Sequence, residues 1–128
     1  MGVTLPDLAR QLLDRRVFAV LSTVNPDGSP HSSVMWATYE GDEILFSTIR
    51  GRRKVGNMER DQRVSMLIYD PADPYRYVEI RGTVWMTEEG GDALIDRLCR
   101  AYQGVPWPQR TGEVRLVCRL RPTHVVVL

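Results

Sequence analysis

VFAVLSTVNPDGSPHSSVMWATYEGDEILFST, Val17–Thr48, contains three runs of β-branched and apolar residues separated by two polar turn sequences. In the first turn, Asn25–Gly28, proline fixes φ and glycine accepts a positive φ. The second turn is EGDE, Glu40–Glu43. Because short loops of this kind join antiparallel strands, the segment predicts an antiparallel meander of three strands, VFAVLSTV, SPHSSVMWATY and ILFST.

Strand patterns continue after this segment. Arg63–Asp70 alternates between apolar and polar residues, and Tyr75–Thr87 is a long strand in which Gly82 indicates a bulge or bend. The segment 113–128 supplies one or two closing strands. The chain is therefore predicted to be mainly β, a six- to seven-stranded antiparallel β-barrel with flanking α-helices.

Two long helices and a short one are predicted around the barrel. Thr4 is expected to cap the first, with Pro6 in its first turn and Asp7 at the positive end of its dipole. RKVGNMERD (residues 53–61) predicts the short helix. DALIDRLCRAY (residues 92–102) predicts the last helix, since its apolar residues recur at helical spacing.

Length and composition exclude several classes of protein. The 128 residues suggest a single domain over 1–128, and the net charge of +1 argues against a general nucleic-acid binder. No apolar run is long enough for a membrane span, and no signal peptide is apparent. Cys99 and Cys118 lack metal-ligand spacing, so we expect no metal and a reduced, cytoplasmic protein.

Lys54 is the only lysine among 17 basic residues, and it lies in FSTIRGRRKVGNM, residues 46–58. Ser47 and Thr48 offer hydroxyl groups, Arg52 offers a forked donor, and the following helix offers free N–H groups. Together they suit a phosphate ester. A solvated basic turn and a nucleic-acid patch, RGRRK, are the alternatives.

The sequence assigns no catalytic residue. His31 follows a turn and His124 lies in an apolar strand, positions more typical of surface or structural histidines. The acidic residues form no acid–base pair. Chemistry supplied by a cofactor is compatible with such a chain.

Three motifs resemble one protein family when taken in order: LSTVNPDGSPHSSVMW (Leu21–Trp36), FST-x-x-G-R-x-K-x-x-N (Phe46–Asn57) and YVEIRGT (Tyr77–Thr83). Over nearly the whole chain the sequence is similar to the pyridoxamine 5′-phosphate oxidase-like flavoproteins. More narrowly, it resembles their short actinobacterial branch that uses the deazaflavin coenzyme F420. The resemblance implies an FMN-binding split β-barrel and a homodimer with two cofactor sites at the subunit interface.

The resemblance also implies roles for particular residues. Arg52 and Lys54 would bind the cofactor phosphate, helped by Ser47 and Thr48. Residues under the ring system would be Val34, Met35 and Trp36. Residues approaching from the other subunit would be Tyr77 and Val78.

Other positions in these motifs leave alternatives open. Asn57 would orient the loop or cap its own helix. Trp36 would form the floor of the pocket or plain core, and Trp107 would wall its opening or pack on the barrel. Arg50 and Arg53 add positive charge that suits the acidic tail of F420 better than the single phosphate of FMN.

The implied activity is hydride transfer from reduced F420 to an unsaturated or heteroaromatic small molecule. The alternatives are an FMN-dependent flavoprotein of the same family and a non-catalytic F420 or FMN carrier. The chain lacks the C-terminal Arg-rich segment of true pyridoxamine 5′-phosphate oxidases, so pyridoxal phosphate synthesis is not expected.

Overall fold

Seven antiparallel strands form one sheet in the computed structural model, which describes residues 2–128. The strands are β1 (Ala19–Val24), β2 (Pro30–Met35), β3 (Ala37–Glu40), β4 (Glu43–Ile49), β5 (Arg63–Asp70), β6 (Asp73–Thr87) and β7 (Arg115–Val127). The helices are α1 (Asp7–Asp14), α2 (Arg53–Arg60) and α3 (Gly91–Gln103). The predicted mainly β class is confirmed. Of the six or seven strands predicted, the structure has seven.

The sheet closes on itself at Trp36. The strand order is β2-β1-β5-β6-β7-β4-β3, so β2 and β3 lie at opposite edges. Trp36 alone separates them in the chain, and the two edges must therefore meet there. The predicted meander is wrong at this point, because the second run splits: its first half pairs with β1 and its second half with β4. The result is a split β-barrel.

The barrel interior holds the main hydrophobic core. Alternate residues of each strand point inward, and Phe46, Met66, Ile80 and Leu120 are fully buried there. A second cluster lies outside the barrel wall, where α3 packs on β4 and β7; it comprises Leu45, Leu94, Leu98 and Val117, with Trp36 and Tyr102 packed against it. This outer cluster positions α3 beside the closure point.

The prediction that Thr4 caps α1 is wrong. Pro6 occupies the N-cap with extended backbone, and no side chain caps the helix. The φ of Pro6, −62°, is helical but its ψ of 148° is extended, so the helix begins only at Asp7 and Thr4 remains exposed upstream. The helix has eight residues, so α3, with thirteen, is the single long helix of the described chain.

Gly82 marks a bulge, as predicted. The register of β6 against β7 shifts between Arg81 and Gly82. A Cβ atom at Gly82 would lie 2.0 Å from the Arg121 carbonyl oxygen, so only glycine fits this close approach of two backbones. The closing segment forms one bent strand, β7.

The described helices are all too short or too polar to cross a membrane.

Candidate functional site

A cavity of about 250 Å³ lies outside the barrel wall, between α3 and the closure point. Its walls come from five separate parts of the chain: the segment before β1, the β2–β3 link, the β4–α2 turn, α3, and the segment that leads into β7. The lining residues are Phe18, Val34, Met35, Trp36, Ser47, Thr48, Ile49, Arg52, Lys54, Ile95, Leu98, Trp107 and Arg115.

Seven of the eleven residues predicted from the sequence line this cavity together. They are Val34, Met35, Trp36, Ser47, Thr48, Arg52 and Lys54. They come from two motifs that lie apart in the sequence. The fold brings these two motifs onto the same cavity.

The turn between β4 and α2 forms the positively charged end of the cavity. Gly51 has a φ of 102°, and Arg52 occupies the N-cap of α2 with extended backbone. Within residues 2–128, neither Arg52 nor Lys54 has a carboxylate within ion-pair distance. Burial, together with the Arg52 charge, lowers the pKa of the half-buried Lys54 ammonium. Uncompensated positive charge at a helix N-terminus suits an anionic ligand.

Two buried polar atoms on the cavity walls point to a ligand. In the described chain, neither the Ser47 hydroxyl oxygen nor Arg115 Nε has a hydrogen-bond partner. Buried polar groups are normally paired, so both atoms are available to bound ligand groups. A phosphate ester fits this set of donors, since it accepts from hydroxyl, ammonium and guanidinium groups.

Trp36 forms a fixed aromatic wall. Its ring stacks on Tyr102 at 5.6 Å with an interplanar angle of 17°. The Tyr102 hydroxyl accepts from the Ala37 N–H at 3.2 Å and donates to the Val17 carbonyl at 2.7 Å. Trp36 therefore both packs on the outer cluster and faces the cavity.

Trp107 lines the cavity next to Trp36 and is held on several sides. Its backbone N–H donates to Asp96 Oδ1 at 2.9 Å. Its ring meets the Trp36 ring edge-on, with 6.3 Å between the ring centroids. The guanidinium groups of Arg110 and Arg115 lie 5.0 and 4.6 Å from its ring centroid. The 104–114 loop is thus anchored to both α3 and β7.

Four predicted residues lie outside this cavity. Arg53 is exposed at the start of α2. Asn57 is buried and donates to Thr23 Oγ1 at 3.0 Å; because Arg52 occupies the N-cap, Asn57 orients the helix rather than capping it. Tyr77 lies in a separate outer groove, and the Val78 side chain is fully buried in the barrel.

Arg50 lies outside this cavity and is paired with acidic side chains. It forms ion pairs with Glu59 at 3.7 Å and Glu88 at 3.1 Å. Its side chain lines a different depression, beside Trp85. Two glutamates therefore partly compensate the positive charge that Arg50 was expected to add.

Arg115 is the one charged residue among the five lining residues that were not predicted from the sequence; the others are Phe18, Ile49, Ile95 and Leu98. Arg115 begins β7 and pairs with Ile49 at the end of β4. That pairing joins distant parts of the chain, so no local motif marks it. The one available signal is an arginine at the start of an alternating apolar strand, RLVCRL.

Comparison with known proteins agrees with this geometry. Residues 5–122 match the family described as pyridoxamine 5′-phosphate oxidase. A comparison with curated protein sequences returned no match.

Solved structures share the fold over nearly their full length. A structure named F420 reductase has a TM-score of 0.82 and 31% identity, with 91% of this chain and 94% of that chain covered. A conserved hypothetical protein from Mycobacterium tuberculosis has a TM-score of 0.75 and 23% identity, with 97% and 84% covered. HupZ of group A Streptococcus has a TM-score of 0.74 and 15% identity, with 98% and 94% covered.

The last two similarities concern the fold alone, because their identities are low. The family match spans most of the chain, and the F420 reductase structure is similar in both sequence and fold. The chain therefore belongs to the pyridoxamine 5′-phosphate oxidase-like family of split β-barrel proteins.

Proposed function

We propose that the protein is an F420-dependent oxidoreductase that transfers a hydride from the reduced deazaflavin to an unsaturated or heteroaromatic small molecule. The observation that carries the proposal is the cavity itself. It combines Arg52 and Lys54, which have no carboxylate partner among the described residues, with the flat wall of Trp36. The 31% identity to a structure named F420 reductase supports the deazaflavin over FMN.

The residues of the chain would bind and orient the cofactor. Lys54 and Arg52 hold its phosphate, and the unpaired Ser47 hydroxyl donates to a phosphate oxygen. The backbone of Val34, Met35 and Trp36 would lie beside the cofactor ring system. At this point β2 ends, and Trp36 is not part of a strand. The bound deazaflavin supplies the hydride chemistry, and the apolar walls exclude water from it.

We further propose a homodimer whose second copy completes each cofactor site. At about 250 Å³ the cavity is smaller than the usual 300–1,000 Å³ of a ligand site, and Tyr77, expected near the ring system, lies outside it, which supports a further wall from a second copy. An outer groove of about 740 Å³ on β1, β5 and β6 exposes aromatic side chains, including Tyr69, Tyr75 and Tyr77. Covering this groove with a second copy would bring Tyr77 to the interface.

The test is a direct comparison of cofactors. Purified protein is titrated with F420 and with FMN, and binding is followed by cofactor fluorescence. We expect tighter binding of F420, and oxidation of reduced F420 by members of a panel of quinones, enones and nitro compounds. Tight FMN binding without F420 binding would favour the FMN-dependent flavoprotein. Binding without turnover across the panel would favour the carrier.

A further inference from the structure

Arg115 is a buried cation whose bonding capacity is only partly used. Its side chain is 10% exposed, and its one carboxylate contact is with Glu113 at 3.4 Å. Arg115 Nε has no partner within residues 2–128. A guanidinium carries five N–H donors, and a buried charge without sufficient partners is costly. The arrangement therefore indicates a partner that is not part of the chain.

Arg115 lies at the junction of two cavities. It lines the cavity that contains Lys54, and it also lines an adjoining cavity of about 450 Å³. Ile95 and Trp107 are shared between the same two cavities. A ligand that extends from one cavity into the other would pass the Arg115 guanidinium.

The charges around the first cavity exceed what one phosphate ester requires. Arg52, Lys54 and Arg115 line it, and no carboxylate does among the described residues. Arg52 and Lys54 come from the start of α2, whereas Arg115 comes from β7. Burial lowers the pKa of the Arg115 guanidinium, against an opposite effect of Glu113, and the charges of Arg110 and Arg52 lower it further. If Arg52 and Lys54 at the start of α2 bind the phosphate, Arg115 on β7 remains available for a different anionic group.

The adjoining cavity carries charges of both signs, and most are already engaged. Glu113 lies between Arg115 and Arg110, at 3.4 and 3.8 Å. Asp96 accepts from Arg100 and from the Trp107 N–H. Asp92 lines the same cavity on α3. An acidic group would therefore meet its strongest attraction at Arg115, on the side that faces the first cavity.

We propose that Arg115 binds a second oxyanion, the carboxylate or phosphate group of the small-molecule reactant, at the junction of the two cavities. The proposal rests on the proposed function, because it gives the substrate of that reaction an acidic group. A planar guanidinium fork donates two parallel bonds to a carboxylate or phosphate, which a single ammonium does not. The free Nε provides one of those donors.

The experiment measures binding of inorganic phosphate and of acetate to the cofactor-free protein by titration calorimetry. The variants are Arg115→Gln, Arg115→Lys and the matched control Arg110→Gln. Arg110 contacts the same Trp107 ring and the same Glu113, but its side chain is 56% exposed. We expect Arg115→Gln to weaken acetate binding about tenfold or more, the usual effect of losing one charged hydrogen bond, and phosphate binding less, because Arg52 and Lys54 remain. Arg110→Gln should change it less than about twofold.

Arg115→Lys keeps the positive charge but removes the paired N–H donors of the guanidinium. It therefore tests the proposal if Arg115→Gln fails to fold. It should also weaken acetate binding, since an ammonium donates no paired bonds. Unchanged binding of both anions to either folded Arg115 variant would overturn the proposal. Equal losses in the Arg110 and Arg115 variants would also overturn it, because general charge would then explain the binding.

A second arm identifies the source of the oxyanion by comparing FMN with riboflavin, which lacks the phosphate. If the reactant supplies the oxyanion, Arg115→Gln leaves FMN affinity unchanged, and acetate still binds FMN-loaded wild-type protein. If the cofactor supplies it, Arg115→Gln weakens FMN but not riboflavin. Equal weakening of both would overturn the proposal, because Arg115 would then act by shaping the ring pocket. Anion binding needs no turnover, so the anion-binding result can be interpreted even if the protein does not catalyse the proposed reaction.

Discussion

Arg53 and Lys54 are neighbours with the same charge, yet they lie in different environments. Lys54 is half buried and lines the cavity, whereas Arg53 is exposed and interacts with Asp27 only at long range. Successive residues of a helix point about 100° apart, so one of the pair faces the cavity and the other faces away. From the sequence, Lys54 was predicted to bind the phosphate and Arg53 to add charge for an acidic tail, but RGRRK alone does not show which of the two faces the cavity.

This difference predicts unequal effects on cofactor binding. Lys54→Ala should weaken F420 or FMN binding by about 1.5–3 kcal/mol, because a charged hydrogen bond in a partly buried site is lost. Arg53→Ala should cost less than about 0.5 kcal/mol, as is usual for an exposed charge. Fluorescence titration of both variants measures the two losses. Comparable losses of affinity in the two variants would indicate that the RGRRK segment is a solvated basic turn and not a phosphate site.

Cys118 makes stability depend on pH in the alkaline range. Burial raises the pKa of its thiol from 9.0 to about 12, against a smaller opposite effect of the Lys54 charge. A group whose pKa is raised by folding stabilises the protein fully below its unfolded pKa. That stabilisation is lost as pH rises, here between about 9 and 12.

The prediction compares wild-type protein with Cys118→Ala, which removes the titrating group. At pH 8 the variant should be less stable by about 1–2 kcal/mol, because a small cavity is left. Near pH 10.5 the difference in the free energy of unfolding between the two proteins should be smaller, since wild-type protein loses the thiol contribution and the variant does not. Urea unfolding at both pH values measures this difference. An equal difference at both would show that Cys118 does not titrate in this way.

At the scale of elements, local chemistry predicted most of the structure. The predicted strand Arg63–Asp70 matches β5 at both ends, and the Asn25–Gly28 turn forms with Gly28 at a φ of 87°. The division of β2 from β3 was missed. SPHSSVMWATY reads as one alternating run, and its interruption at Trp36 results from closure of the barrel, which is a long-range property.

Two glycines in different elements predict opposite effects of the same substitution. Gly82→Ala should destabilise the protein by about 3 kcal/mol or more, because the new Cβ would lie 2.0 Å from the Arg121 carbonyl oxygen. Gly56→Ala should stabilise it by about 0.5–1 kcal/mol, because Gly56 is exposed in α2 with open space around it. Thermal or urea unfolding checks both. A mild effect at Gly82 would mean that the bulge adapts readily.

At the scale of the whole molecule, the cavity is assembled from parts that lie far apart in the sequence. The β2–β3 link and the β4–α2 turn carry recognisable motifs, and those two walls were predicted. The walls formed by α3, Trp107 and Arg115 depend on the pairing of β4 with β7. Such long-range pairing leaves no local signal, which explains why Arg115 was missed while Lys54 was found.

The proposed homodimer predicts a further result at this scale. Tyr75 is 81% exposed and lies in the outer groove of β1, β5 and β6. Tyr75→Glu should shift the protein from dimer to monomer and weaken cofactor binding, because a buried charge disfavours an apolar interface. Val3→Glu, at another exposed apolar position, is the matched control. Sedimentation velocity measures the assembly, and a monomeric wild-type protein would contradict the proposal.

The position of β7 between β6 and β4 governs the order in which the barrel can assemble. The β3–β4 hairpin joins the sheet only through β7, because β7 lies between β6 and β4. During synthesis, the nascent chain therefore carries β4 and β6 as unpaired edges until the last strand leaves the ribosome. High contact order of this kind slows folding and exposes strand edges to aggregation. The barrel closes only once its final strand has been made.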